Sequence, residues 1–401
     1  MDSENTPGDE FPFFDLGAML GGIGSGREWE TARNVAASVA SNGESEPNVD
    51  PLARREIESL VRVAELQVAD QLQGVLPSPD MKISVVTRGE WARRSVEVYR
   101  PFFERFGEAI GDSEPLVDDP SDPFATMLGQ MLKGIAPMMV SATAGTMLGH
   151  LGQRALGQYE LPVPRHGTDI LIVSSTVDRA AAEWGVGVTD LRLWILVHEM
   201  VTHTVLSVPH VAKRLESLLL DFASAFKPNL DQINDQFGSM TDLSQLQELS
   251  ETFSEPTALL SMMKSGAHGL LMPQLDAMVA IIIGFVEHTV DRICGSLVPS
   301  SAQIKEHFRN RWSDSVPSDR FTEELLGLNI TTETFNRGDQ FITGIRERAG
   351  VEALDRLWAD ELDLPTAAEV NAPGLWVERV GLDPDFGPAV DQIPDDLSGL
   401  E

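Results

Sequence analysis

Eight histidines are spread along the chain, and one stretch places two of them beside a carboxylate: Trp194-Ile-Leu-Val-His198-Glu199-Met200-Val201-Thr202-His203. A helix carrying His-Glu-x-x-His sets two imidazoles, at i and i+4, on one face. There they bind zinc, and the Glu deprotonates a metal-bound water. Here the second His comes one place late. A helix turns about 100° per residue, so His198 and His203 point about 140° apart. Thr202, a poor zinc donor, holds the place about 40° from His198. Three readings stay open. A one-residue π-bulge realigns the two imidazoles. Alternatively, Glu199 and His203, at i and i+4, share a metal with groups from elsewhere. In the third, His198 and Glu199 are hydrogen-bonded polar groups on a buried helix. Under the catalytic readings Glu199 is the general base, and His198 and His203 are metal ligands. Glu287 and His288, an ionisable pair on an otherwise apolar helix, then supply further metal ligands. Otherwise that pair sits on the polar exit turn of its own helix.

Other chemistries find no support. No P-loop or Gly-x-Gly-x-x-Gly follows a strand, and no Ser has a nucleophile-elbow context. The single cysteine, Cys294, excludes a disulfide within the chain and a Cys-based zinc site.

The elements that must position these residues read as mainly helical. A helix fits Glu28 to Ala40, and Asp50-Pro51 is an N-cap with Pro at the first helical position. A short extended piece, Lys82 to Val86, precedes the capping box Thr87-x-x-Glu90. Trp91, Ser95, Tyr99, Phe102, Phe106 and Ile110 then recur at helical spacing, as a core stripe does. Residues 134–153 carry no charge but hold Pro137 and several Gly. Gly145-x-x-x-Gly149 suits a tightly packed helix pair better than a membrane span. Asp169 to Val177 reads as the clearest strand, followed by a helix to Trp184 and a Gly185-Val-Gly187 turn. Thr189 or Asp190 caps a helix from Leu191 to about Val208, which carries the His-Glu pair. Residues 211–266 read as helices broken at Pro228, Gly238 and Pro256. The run around Ala277–Arg292 is apolar on all sides and reads as a central buried helix. A second capping box, Thr366-x-x-Glu369, lies in the helical last third.

The 401 residues carry 62 acidic against 30 basic side chains, a formal charge of −32. That balance argues against nucleic acid and anionic membrane surfaces as partners, because no basic patch exists to release phosphate counterions. The 42% hydrophobic content supports a sizeable core. The acidic Met1-Asp2-Ser3-Glu4-Asn5 has no basic, apolar signal segment, so the cytoplasm is the expected compartment. Oligomeric state is not legible.

Several marks recur in order along the chain: Trp29-Glu-Thr-Ala-Arg33, Glu46-Pro-Asn-Val-Asp50-Pro51, and Leu191-Arg-Leu-Trp194 leading to His198-Glu199. Phe335-x-x-Gly338-x-x-Phe341, Leu364-Pro-Thr366-x-x-Glu369 and Pro373-x-x-Trp376-x-x-Arg379-Val380 follow. In this order they resemble the zincin-like metallopeptidase and hydrolase family common in actinomycete bacteria, one branch of which is associated with coenzyme biosynthesis. The resemblance covers about residues 25–380. It implies an α+β fold, mainly α with a small β element, in which the metal-type helix follows a short strand. It also implies zinc as cofactor and a peptide or other amide as substrate. By position, His198 is the first ligand and Glu199 the general base, while the second His falls on Thr202. A further family Glu, on the later helix, falls on Ile283 of Ile283-Gly284. The expected organisation is a flexible acidic lead-in (1–26), an N-terminal helical part (27–160), a zincin-like core (161–300), a C-terminal helical part (301–380) and an acidic tail (381–401). Two functions compete: a zinc hydrolase with a degenerate motif, and a catalytically inactive relative, a pseudoenzyme, acting as a binding or scaffold protein.

Overall fold

The computed structural model describes residues 28–74, 76, 80–111, 123–226, 264–313 and 322–382. The lead-in expected at 1–26, nearly all of the tail, and the breaks expected at Pro228, Gly238 and Pro256 lie outside these residues. The fold is the expected mainly helical α+β type, with one small parallel sheet.

The chain opens with α1 (Glu28–Ala40) and α2 (Pro51–Leu72). Pro51 starts α2, and the Asp50 side chain accepts from Leu52 N–H at 3.0 Å, so this cap forms as its sequence dictates. Strand β1 (Lys82–Val86) leads into α3 (Arg88–Gly111) and then α4 (Pro123–Arg154). Strand β2 (Asp169–Val173) pairs parallel with β1, Lys82 opposite Asp169 and Val86 opposite Val173. Helices α5 (Ser174–Trp184), α6 (Val188–Leu206) and α7 (Pro209–Ser224) follow. After residue 263 come α8 (Gly266–Leu297), α9 (Ser301–Ser313) and α10 (Thr332–Ala349). Two 3-10 turns and the short α11 (Ala367–Asn371) and α12 (Pro373–Arg379) complete the described chain.

Three boundaries differ from the sequence expectation, one of them at α8, which runs Gly266–Leu297 rather than Ala277–Arg292. The strand stops at Val173, and Ser174–Val177 form the first turn of α5. These four are all buried or at a helix end apart from Ser175, so burial hid the change of period. Helix α6 begins at Val188, capped by neither Thr189 nor Asp190. Asp190 instead accepts from the Ser300 hydroxyl at 2.7 Å, tying α6 to the start of α9.

One hydrophobic cluster runs from Ala32 to Val377. In the first half, α1 lies on α3 and α4. The closest approach is at the Gly145-x-x-x-Gly149 spacing: a Cβ at 145 would lie 2.6 Å from Ala32 O, and one at 149 would lie 2.5 Å from Val39 Cβ. The expected close helix pair is therefore α4 on α1. In the second half, α8 packs on α6, α7 and α10. It is long and apolar enough to cross a membrane by length and composition, yet Leu275, Ala280, Ile281 and Val290 are completely buried among its neighbours. Gly284 meets Gly338 of α10 so closely that a Cβ at 284 would fall 2.5 Å from Gly338 backbone. That crossing fixes where Ile283 lies. Cys294 is buried, which lifts its thiol pKa to about 12 and marks it as packing.

The start of α8 carries a titratable cap. Ser265 N–H donates to His268 Nδ1 at 2.9 Å, and the imidazole meets Phe222 and Phe226 at 4.5 Å between ring centroids. Burial, assisted by the Lys264 charge, lowers its pKa. The folded state therefore binds this proton less readily than the unfolded state does. The stability it contributes is full above the ordinary His pKa of about 6.5 and is lost as pH falls towards the lowered value. His268→Gln keeps a cap acceptor and cannot titrate. Urea unfolding between pH 7.5 and 5 should show a shallower loss of stability for this variant than for the natural chain, and an unchanged slope would refute the assignment.

Candidate functional site

Every residue of α6 from Leu191 to Leu206 is buried. Each polar side chain on it must therefore find a partner inside the protein. Arg192 does so at one end, where Nε and Nη2 donate to Asp178 at 3.0 and 2.7 Å and Nη1 pairs with Glu56. The Thr202 and Thr204 hydroxyls donate to the carbonyls of His198 and Met200, both at 2.8 Å.

The helix is α-helical throughout, so no π-bulge brings His198 and His203 together. His198 stacks on Trp194, centroids 5.3 Å apart and planes 14° apart, and meets Phe308 at 4.8 Å. His203 turns the other way, and its Nδ1 shares a 2.7 Å hydrogen bond with the Tyr159 hydroxyl. Burial lowers the His203 pKa and raises that of Tyr159 well above the tyrosine range, so near pH 7 this is a bond between neutral groups. Glu199 and His203 both bond to Tyr159, Glu199 Oε2 accepting from Tyr159 N–H at 2.8 Å, and no third His, Cys, Asp or Glu among the described residues converges with them.

Tyr159 belongs to a segment, residues 155–165, that is buried throughout although it has no regular structure. A buried loop survives only if its backbone groups are answered. Trp91 Nε1 donates to Gly157 O at 2.7 Å, Leu171 N–H donates to Gln158 Oε1 at 3.2 Å, and Arg165 donates to Gln158 O at 2.8 Å. Gly157 also bridges to Ile172 of β2. A side chain at 157 would collide with Glu199, because a Cβ there would lie 2.4 Å from the carboxyl carbon. Glu199 thus holds the loop that covers it.

On the other side of His198 lies a cleft. His198, Thr202, Ile283 and Glu287 all line it, together with Tyr159 and Glu160 of the buried loop. The positions that the sequence pattern assigns to three metal ligands do converge, but only His198 carries a donor that is not already used. Thr202 bonds back to its own helix, and Ile283 has none. Glu287, 5% exposed, is no exit-turn residue, since α8 runs on to Leu297. Both its oxygens are held by Arg309, with Nε at 2.7 Å and Nη2 closer still. Glu160 Oε1 accepts from Arg311 Nη2 alone and lies 3.5 Å from Arg154 Nε. His288 is absent from the cleft and faces another neighbourhood. Burial, with the Arg346 and Arg292 charges, lowers its pKa to about 4. Among the described residues no group of three or more His, Cys, Asp or Glu side chains converges to hold a metal.

The family model for zincin-like metallopeptidases matches residues 28–377, most of the chain. The chain belongs to the zincin-like metallopeptidase family. A solved structure from Chloroflexus aurantiacus, described as "a putative hydrolase with a novel fold", shares the fold. It has a TM-score of 0.59 at 22% identity and covers 88% of this chain and 98% of its own. No curated protein matches.

The family implies zinc in its members. A zincin site takes three protein donors from imidazole, thiolate or carboxylate. This member offers one imidazole, a hydroxyl spent on its own helix, an alkyl group, and a carboxylate neutralised by a guanidinium. That set does not fit the ion. The sequence pattern gave no sign of Gly157, Tyr159, Arg309 or Arg311. The one available hint was scarcity: Tyr159 is one of only two tyrosines, and the other, Tyr99, is buried beneath Arg165.

Glu199 therefore has a measurable structural duty. Glu199→Ala orphans the buried Tyr159 N–H and should cost about 1–3 kcal/mol of unfolding free energy. Glu199→Gln keeps an acceptor oxygen and should recover most of that loss. Equal destabilisation by the two substitutions in urea titrations would contradict this role.

Proposed function

We propose that this zincin-like family member has given up zinc-dependent hydrolysis and uses its inherited cleft to bind a ligand. The observation that carries the reading is that positions 198, 202 and 283 meet at one cleft while His198 alone retains a free donor. The two guanidinium groups that hold Glu287 and Glu160 take over the positive charge that a metal supplies in an active site of this type. Glu199 supports the covering loop rather than a water molecule.

A second reading has one observation in its favour. His198 Nδ1 and Glu199 Oε1 remain 3.7 Å apart, as a retained ligand and base would be. Hydrolysis of a peptide or amide would then need metal donors from residues outside the described set. The acidic composition with one buried cysteine suits a reducing compartment such as the cytoplasm under either reading.

Metal analysis of untagged protein separates the two. On the binding reading the natural chain carries well under one zinc per chain, and added zinc leaves its melting temperature unchanged. Thr202→His with Ile283→Glu restores donors on the same wall as His198. That double variant should gain about one zinc per chain and a higher melting temperature in its presence. About one zinc per natural chain surviving dialysis, with turnover lost in Glu199→Gln, would replace the binding reading with the hydrolytic one.

A further inference from the structure

The cleft beside His198 is small as it stands. It holds about 40 Å³, room for a few water molecules, where a ligand pocket usually offers roughly 300–1,000 Å³. A second space of about 710 Å³ lies next to it, walled in part by Phe222 of α7, Lys264, Met272 of α8 and Leu328. Trp312 and Ile330 line both spaces, so these two side chains form the partition between them. Trp312 sits on the last turn of α9, and α9 is packed more lightly against α6, α8 and α10 than α8 is against α6 and α10. Lightly packed elements are the ones that open at low free-energy cost. The indole itself is held by no hydrogen bond. Its Nε1 has no partner, and the guanidinium groups of Arg154 and Arg311 lie over the ring, at 4.7 and 5.8 Å from its centre. In the observed position that buried donor goes unanswered. An outward swing gives it an acceptor, which offsets part of the cost of the apolar area the swing exposes.

We propose that Trp312 is a gate: its displacement joins the two spaces into one ligand cavity that reaches His198 and Thr202, and the compact arrangement is the resting state. Phe308, one turn earlier on α9, lines the inner cleft but not the outer space, so the partition belongs to Trp312 and not to that face of the helix as a whole. The proposal rests on the cleft being a binding site rather than a zinc centre, and it adds how a ligand gains entry.

The test uses the full chain carrying Thr202→Cys, at a position that lines the inner cleft and is 4% exposed. The probe is 4,4′-dithiodipyridine, a neutral thiol reagent too large for the inner cleft as it stands. Cys294, the one native thiol, is buried with its pKa near about 12, so the natural chain supplies the background rate. With Trp312 in place, Thr202→Cys should label slowly in native buffer, through opening of the gate. Adding Trp312→Ala should speed labelling at least tenfold. Adding Phe308→Ala, which widens the cleft but leaves the partition, should change the rate less than threefold. Thermal melts followed by circular dichroism verify that each chain is folded, and Trp312→Leu replaces Trp312→Ala if the latter is not. Labelling of Thr202→Cys only at urea concentrations that unfold the whole chain, no acceleration in a folded Trp312 variant, or equal acceleration by Phe308→Ala each overturns the proposal. Zinc content of the natural chain separates the two levels. A zinc-free chain that fails the labelling test loses the gate alone, whereas about one zinc per chain sinks the underlying reading as well.

Discussion

The enclosure of α6 from Leu191 to Leu206 governs this structure. A helical stretch buried on all sides cannot leave a polar side chain to water, so each such group either finds a fixed partner or carries an uncompensated desolvation cost. Arg192, Glu199, Thr202, His203 and Thr204 are all matched within the protein. Two of the matches, at Glu199 and His203, are made by one residue, Tyr159, through its backbone N–H and its hydroxyl. The buried segment 155–165 is therefore as much a product of α6 as a cover for it. Without the Glu199 carboxylate, Tyr159 N–H would lose its acceptor. Without glycine at 157, the carboxylate would have no room.

The same accounting explains why the cleft differs from a metal site built on the same scaffold. A buried carboxylate is tolerated only when a positive charge or strong donors answer it. A divalent ion is one answer, and a forked guanidinium is another that needs no ion. Arg309 reaches Glu287 with Nε and Nη2, and the pairing holds the guanidinium pKa above its already high value. Arg309 and Arg311 lie two residues apart on α9, with Phe308 and Trp312 on either side, and Phe308 and Trp312 both line the cleft. One short helix thus supplies both the counter-charges and part of the apolar wall.

Local features of the fold were legible because they depend on local physics. Helix α1 over Glu28–Ala40, strand β1 over Lys82–Val86, and the caps at Asp50 and Thr366 appear where residue type and spacing place them. The angular argument at His198 and His203 was legible too, since a regular helix leaves no freedom in that geometry. The convergence of 198, 202 and 283 came from the family pattern rather than from periodicity. What stayed hidden is non-local. Glu199 and Tyr159 are 40 positions apart, and Glu287 and Arg309 are 22 apart. A buried Glu looks the same in sequence whether its partner is a metal, an arginine or an amide. Glu287 shows this most plainly: it does face the His198 helix, yet its partner is Arg309.

On the binding reading, absence of metal donors without loss of the fold follows from how the stability is distributed. The core that positions α6 and α8 is continuous and apolar, and the Gly284–Gly338 crossing is a backbone contact that ignores the identity of residue 283. Ile rather than a carboxylate at 283 leaves no charge that would need an answer and adds apolar area, which a buried surface tolerates well. A hydroxyl at 202 satisfies itself on the carbonyl four residues back and asks nothing of its surroundings. His198 differs, because neither its own helix nor the arginines give Nδ1 a hydrogen bond.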